Sequence, residues 1–170
     1  MPTELKGVGE MRKALRKYTP DLNKALNKEM AGFLSPLARK SRGYIPMNPM
    51  RNWNNTGTGK FSKYDYATVK RGIGYKTSAG KPNRAGFKSL AEIFNKSAAG
   101  SIYETAGRNK PNSQFVRNLE RHSRMIGTNK LRGRAIFRAY KEDSGKTQAA
   151  VIRAVRLATD RFYGRRFLNG

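Results

Sequence analysis

The sequence predicts an α+β fold: an N-terminal kinked long helix and a C-terminal helix packed on a small antiparallel sheet, with a long central loop and β-hairpin arm. Three observations carry that expectation. Apolar stripes of helical period stand near both ends of the chain. Short runs rich in aromatic and β-branched residues lie between them, as strands require. Those runs are joined by short turns, which favours antiparallel pairing with the helices laid against the sheet.

The N-terminal stripe is the clearest. Leu22, Leu26, Met30, Phe33 and Leu37 recur at spacings of four, four, three and four, widened by Ala25 and Ala38. Thr19 suits the N-cap, Pro20 the first helical position, and Asp21 the positive end of the helix dipole. Arg39, Lys40 and Arg42 suit the other end. Pro36 removes one backbone donor and crowds the preceding turn, so a kink is expected near 32–35. Ahead of this helix, residues 1–5 read as an edge strand. Val8, Met11, Leu15 and Tyr18 then mark a short leading helix.

Residues 43–60 have no period. Pro46, Asn48, Pro49, Asn52, Asn54, Asn55, Gly57 and Gly59 crowd the segment, which reads as a long loop. Tyr44, Met47, Met50 and Trp53 interrupt its polarity and call for a surface to cover them. Residues 61–76 carry a strand bias through Tyr64, Tyr66, Val69, Ile73 and Tyr75, with Gly72 and Gly74 as breaks. With a glycine- and lysine-rich tip at 76–86, the stretch 61–88 reads as a projecting hairpin.

Residues 90–95 and 101–105 read as two strands joined by a small-residue turn. Asn112 or Ser113 caps a short helix carrying Phe115, Leu119 and His122. Residues 127–133 read as a loop. Residues 134–140 alternate, with Ala135, Phe137 and Ala139 on one face, and read as a strand. Val151, Val155, Ala158 and Phe162 form the stripe of a final helix over 144–163. The whole chain, 1–170, reads as one domain in three parts: a helical part at 1–42, the loop and arm at 43–88, and the sheet and C-terminal helix at 89–170.

Lysine and arginine number 36 against 11 acidic residues, a formal charge of +25. The excess is spread through the chain: +6 over 1–43, +8 over 44–100 and +11 over 101–170. The surface therefore repels its own copies and attracts polyanions or acidic proteins. With no cysteine, disulfide and thiolate chemistry are excluded. No signal peptide and no apolar run near membrane-spanning length stands in the sequence, so a non-secreted, non-membrane protein is expected.

Catalytic signatures are weak. The run Ser144-Gly145-Lys146-Thr147 resembles the end of a phosphate-binding loop, but Tyr140 stands where that loop needs its first glycine. Helix capping by Ser144 is the better reading. His122 is the single histidine and has no cysteine or second histidine to complete a metal site. Glu92 and Glu104 are the pair of carboxylates that could meet across strands, without any spacing signature for a metal-dependent nuclease. No enzyme and no cofactor is expected.

Basic and aromatic residues interleave at 60–64, 71–76 and 161–167, without any helix-turn-helix, zinc-finger or ribonucleoprotein signature. Lys60, Lys63, Lys70, Arg71, Lys76 and Lys81 are the candidate groups facing DNA or an acidic partner. Contact with nucleic acid would be to the backbone and steeply salt-dependent.

The order of parts resembles a known family. Glu4-Leu5-Lys6-Gly7-Val8 leads into a long basic helix ending at Tyr44-Ile45-Pro46. The run Asn95-Lys96-Ser97-Ala98-Ala99-Gly100-Ser101-Ile102-Tyr103-Glu104-Thr105-Ala106-Gly107-Arg108 follows, and then Gly133-Arg134-Ala135-Ile136-Phe137-Arg138-Ala139-Tyr140 before the last helix. This resembles the tail-completion (neck) proteins of long-tailed bacteriophages, the siphovirus head–tail connectors. The resemblance implies a structural virion protein at the head–tail junction, forming a homo-oligomeric ring, usually of six copies. It would join tail to head beside other neck and tail proteins and close to packaged DNA. Tail terminators share the layout and are the alternative, with a free sequence-independent nucleic-acid binder as the other. On this reading Tyr44, Met47, Met50 and Trp53 make inter-subunit or partner contacts.

Overall fold

The computed structural model describes residues 13–14, 16–17, 20–55, 62–77, 84, 89, 91–109, 111–128, 131–143 and 145–168. The fold is α+β: about 63% helix and 8% strand, with six helices and a two-stranded antiparallel sheet among the described residues. In chain order these are α1 (Pro20–Gly43), a 3-10 turn (Trp53–Asn55), α2 (Tyr66–Gly72), β1 (Ile73–Lys76), β2 (Glu92–Asn95), α3 (Ala98–Thr105), α4 (Gln114–His122), α5 (Ile136–Glu142) and α6 (Lys146–Leu168). No helix among the described residues is long and apolar enough to cross a membrane.

Two compact units divide the chain. One comprises 1–34, 75–92 and 146–170, and the other 35–74 and 93–145. In the first, Leu22, Leu26, Met30 and Leu34 form the buried stripe of α1, and Ala150, Ala154, Val155 and Ala158 that of α6. Leu34 takes the place expected for Phe33, which is half-buried. Either residue lies one turn from Met30 and Leu37, so the periodicity alone does not choose between them.

The second unit holds the richer interior, built from Leu37, Ala38, Ile45, Met50, Trp53, Tyr64, Val69, Ile73, Tyr103, Val116, Leu119, Ala135 and Ala139. Pro36 is accommodated inside α1. Ser41 is buried and returns its hydroxyl to the Leu37 carbonyl at 2.8 Å. Arg42 sends Nε and Nη2 to the Ile73 carbonyl at 3.1 and 2.7 Å, which ties the helix end to the start of β1.

Three strand expectations give way to helices. Among the described residues 62–76, only Ile73–Lys76 is strand. The Asp65 carboxylate accepts from the Thr68 N–H at 2.7 Å and starts α2 at Tyr66. Residues 101–105 lie in α3, whose N-cap Ser97 accepts from the Gly100 N–H at 3.0 Å. Residues 136–142 form α5 where a strand over 134–140 was expected. In each case satisfaction of the first-turn N–H groups outweighs the strand bias of the aromatic and β-branched residues. The capping expectation at Ser113 holds, with its hydroxyl accepting from the Val116 N–H at 3.2 Å.

β1 pairs with β2, which lies beyond the hairpin expected over 61–88, and the strand expected at 90–95 therefore takes β1 as its neighbour and not 101–105, which is helical. The Asn95 amide stitches the neighbouring segments. Nδ2 donates to the Val69 carbonyl at 3.1 Å, and Oδ1 accepts from the Ser97 N–H and hydroxyl at 2.9 Å each. A β-carbon on Gly100 would fall on this amide, so glycine permits the approach. The edge strand expected at 1–5, the leading stripe from Val8 to Tyr18, the Thr19 and Ser144 caps, and the tip at 78–83 lie outside the described residues.

Candidate functional site

The segment after α1 folds back on its own unit. Met50 and Trp53 are buried, at 5% and 3% exposure, so both are committed to the interior of the chain. Trp53 meets Phe115 edge-on at 5.0 Å and Tyr64 at 5.2 Å between ring centroids. The Trp53 Nε1 donates to the Ser62 carbonyl at 3.0 Å. Asn54 and Tyr64 make a reciprocal pair: the Tyr64 N–H donates to Oδ1 at 2.6 Å, and Nδ2 donates to the Tyr64 carbonyl at 3.1 Å. The Tyr64 hydroxyl closes the loop on the Pro46 carbonyl at 2.5 Å. Burial raises the Tyr64 pKa above its ordinary value, which keeps the phenol a donor. Of the four expected contact residues, Met47 is left outermost, at 79% exposure.

Tyr44 takes a different role. Its hydroxyl donates to the Glu142 carboxylate, which also meets Lys40 Nζ at 3.1 Å and Arg138 Nε at 3.0 Å. The Arg138 guanidinium lies 4.3 Å from the Tyr44 ring centroid. The donors from Tyr44, Arg138 and Lys40 hold the Glu142 pKa down at about 2. The same hydrogen bond raises that of Tyr44. This is an exposed four-residue cluster on one unit, formed between the end of α1 and α5.

The interior holds a second polar network, which sequence reasoning did not anticipate. Glu104, 5% exposed, accepts from three successive N–H groups at the start of α5: Ala135 at 2.7 Å, Ile136 at 3.2 Å and Phe137 at 2.9 Å. Ala135 has no side chain to cap the helix, and Glu104 serves instead. Arg134 is fully buried. Its Nε donates to the Ser123 carbonyl at 2.8 Å, Nη1 to those of Tyr103 and Ala106 at 2.9 and 2.8 Å, and Nη2 pairs with Glu120. Burial lowers its pKa and the Glu120 carboxylate opposes that. Arg108 and Arg132 donate to carbonyls of each other's segments at 2.7 to 3.1 Å, and Arg108 stacks 4.5 Å from the Phe137 centroid. The residues concerned stand 11 to 33 positions apart, so no helical or strand spacing reveals them. The readable trace is the Arg132-Gly133-Arg134 triplet.

The carboxylates considered for metal chemistry are used in this way. Glu92 pairs with Lys76 at 2.5 Å, and Glu104 caps α5. Glu104 also sits on a helix and not on the strand that was to bring it opposite Glu92. Among the described residues no group of three histidines or carboxylates could hold a metal ion.

The expected cationic groups separate. Lys63 and Arg71 are exposed, with the Arg71 Nε returning to the Ala67 carbonyl at 3.3 Å. Lys70 is half-buried and folds over Tyr66, donating to its hydroxyl at 2.8 Å. Lys76 is engaged by Glu92. Lys60 and Lys81 lie outside the described residues. Comparison with family models, with curated proteins and with solved structures returns no match.

Proposed function

We propose that this protein is a structural, non-enzymatic component of the head–tail junction of a long-tailed bacteriophage. In this reading it forms a ring, of the tail-completion or tail-terminator kind, that joins tail to head beside packaged DNA. The observation that carries the electrostatic half of the reading is how charge is distributed in the unit 35–74 and 93–145. That unit has 19 basic and five acidic residues, a balance of +14. Glu104, Glu120 and Glu142 are each held by backbone or cationic partners, and Asp65 caps a helix. Arg39, Arg51, Lys63, Arg121, Arg124 and Lys141 stand exposed with no ion pair among the described residues. Such a surface faces a polyanion most favourably. The ring half rests on the sequence resemblance across 95–108 and 133–162, residues that form α3, α5 and most of α6.

A second reading draws on the same cations: a free, sequence-independent nucleic-acid binder. Native mass spectrometry separates the two. A ring component gives discrete higher assemblies, alone or with tail and head-closure partners. A protein that stays monomeric with every such partner, and binds a DNA duplex stoichiometrically at low salt with affinity collapsing as salt rises, is the free binder.

A further inference from the structure

Two arginines, a histidine and two asparagines converge on one small cavity. It measures about 240 Å³ and is lined by Met50, Arg51, Asn52, Asn118, Arg121 and His122. No carboxylate stands among the described residues that line it. The local structure explains the convergence. Asn118, Arg121 and His122 sit at i, i+3 and i+4 on α4 and so share a face. Asn52 adopts φ +67°, a left-handed conformation that asparagine tolerates better than most residues, as the chain turns to bury Trp53.

The donors are uncommitted. Arg51, Arg121 and His122 make no hydrogen bond or ion pair among the described residues, and Asn118 uses only its carbonyl oxygen, accepting from Gln114 Nε2 at 2.9 Å. Arg108, Arg132, Arg134 and Arg138 of the same unit are all engaged. Arg121 has one reason to be where it is, since a cation suits the last turn of a helix. Arg51 comes from a loop and has no such reason. Cationic groups facing a shared space repel one another unless an anion sits between them. The guanidinium fork matches a phosphate in two-point contact.

A second cavity adjoins it, of about 350 Å³, sharing Met50 and Asn52 and walled by Met47, Asn48, Pro49, Trp53, Asn54 and Tyr64. Its lining mixes amides with an exposed thioether and ring edges, which suits a planar, hydrogen-bonding group. We propose that the paired cavities bind a nucleoside phosphate unit. The phosphate would lie between Arg51 and Arg121 and the base beside Asn48, Asn52 and Met47. Single-stranded nucleic acid and a free nucleotide share this chemistry. The cavities carry the site, and only the choice of nucleic acid as the source rests on the proposed function.

The test is an NMR titration of the full chain with inorganic phosphate, thymidine monophosphate and a short single-stranded oligothymidylate. Backbone amides of Asn52, Asn118, Arg121 and His122 are expected to shift with all three, and that of Asn48 only with the two thymidine probes. The double variant Arg51→Gln with Arg121→Gln should weaken thymidine monophosphate about tenfold or more, as loss of a two-point contact predicts. Arg153→Gln with Arg156→Gln, two exposed arginines of α6, removes the same charge elsewhere and should leave the affinity within about twofold. Equal losses in the two double variants, or shifts spread over the whole basic surface, overturn the site. Saturation by phosphate with no response to thymidine monophosphate overturns the nucleoside assignment. Binding of the monophosphate but not of the oligothymidylate upholds the cavities and removes single-stranded nucleic acid as their source, leaving a free nucleotide.

Discussion

The Glu104 carboxylate occupies the space in which a β-carbon on Gly133 would stand. The glycine is therefore a condition of the cap: any side chain at 133 pushes away the group that satisfies three N–H donors at the start of α5. Gly133→Ala is expected to destabilise the protein by about 1–3 kcal/mol through this crowding. Glu104→Gln, which replaces one acceptor oxygen by a donor, should cost about 1–3 kcal/mol for the N–H groups left buried. If the cap is the cause, the losses do not add in the double variant, because each substitution removes the same bonds. Urea denaturation followed by circular dichroism reads all three. Additive losses would remove the cap as their common origin.

Arg134 makes the opposite kind of commitment, a buried cation serving carbonyls. Its removal leaves Ser123, Tyr103 and Ala106 each without a donor and Glu120 without its partner. Arg134→Ala should destabilise by about 3–5 kcal/mol. Arg134→Lys keeps the charge but loses the fork, and should recover less than half of that loss. Glu120→Gln should be milder than either, near 1 kcal/mol, because the Glu120 side chain is about a third exposed and water can replace part of the pair. The order of the three denaturation midpoints is the check. A lysine variant as stable as the parent would show that charge alone is used there.

What the sequence displayed, and what it hid, follows from the range of each interaction. The α1 stripe, with Leu34 in place of Phe33, and the Ser113 cap are local patterns and were legible, whereas of the expected α6 stripe Val155 and Ala158 are buried, Val151 is half-buried, and Ala150 and Ala154 complete the buried face. The strand readings at 61–76, 101–105 and 134–140 followed the aromatic and β-branched residues, whose preference for strands is decided by packing. Asp65 before Tyr66 and Ser97 before Ala98 were readable caps that point to helix. At 134–140, Ala135 and Ala139 are both fully buried, a spacing of four that fits a helix as well as the alternation fitted a strand. The cap that settles it, Glu104, stands over thirty residues away. Of the segment 44–55, sequence gave the apolar residues but not their direction. Trp53 and Met50 turn inward because Tyr64 and Phe115, both remote in sequence, complete their pocket.

The exposed cluster around Glu142 predicts an acid-sensitive component. Its pKa is held at about 2, below the ordinary carboxylate range, so it contributes stability that is present above the ordinary value near 4.5. That contribution is lost as pH falls from there through the folded value. Glu142→Gln should therefore flatten the dependence of stability on pH between about 4.5 and about 2, with little change in slope above that window. Tyr44→Phe, which removes the donor with the largest effect, should narrow the window from its acid end. Denaturation midpoints measured in steps through this range test both, and parallel curves for parent and Glu142→Gln would mean that the cluster is not held in solution.

The single tryptophan reports whether the segment after α1 is built before any partner arrives. Trp53 is buried against Phe115 and Tyr64, so the isolated chain should emit at short wavelength and resist quenching by acrylamide, with both properties lost on unfolding. Phe115→Ala should cost about 3 kcal/mol and expose the indole. This bears on how the segment is tested for assembly. Deleting 43–60 would take Ile45, Met50 and Trp53 out of the interior, so its first effect would be on folding. Met47→Glu changes a side chain that is already in water, and is expected to leave the unfolding free energy within about 0.5 kcal/mol of the parent. If the exposed thioether seats against a neighbouring subunit, native mass spectrometry of that variant will show monomer where the parent assembles. Full assembly by Met47→Glu would move the contact elsewhere, and a quenchable Trp53 in the parent would mean that the pocket forms only on association.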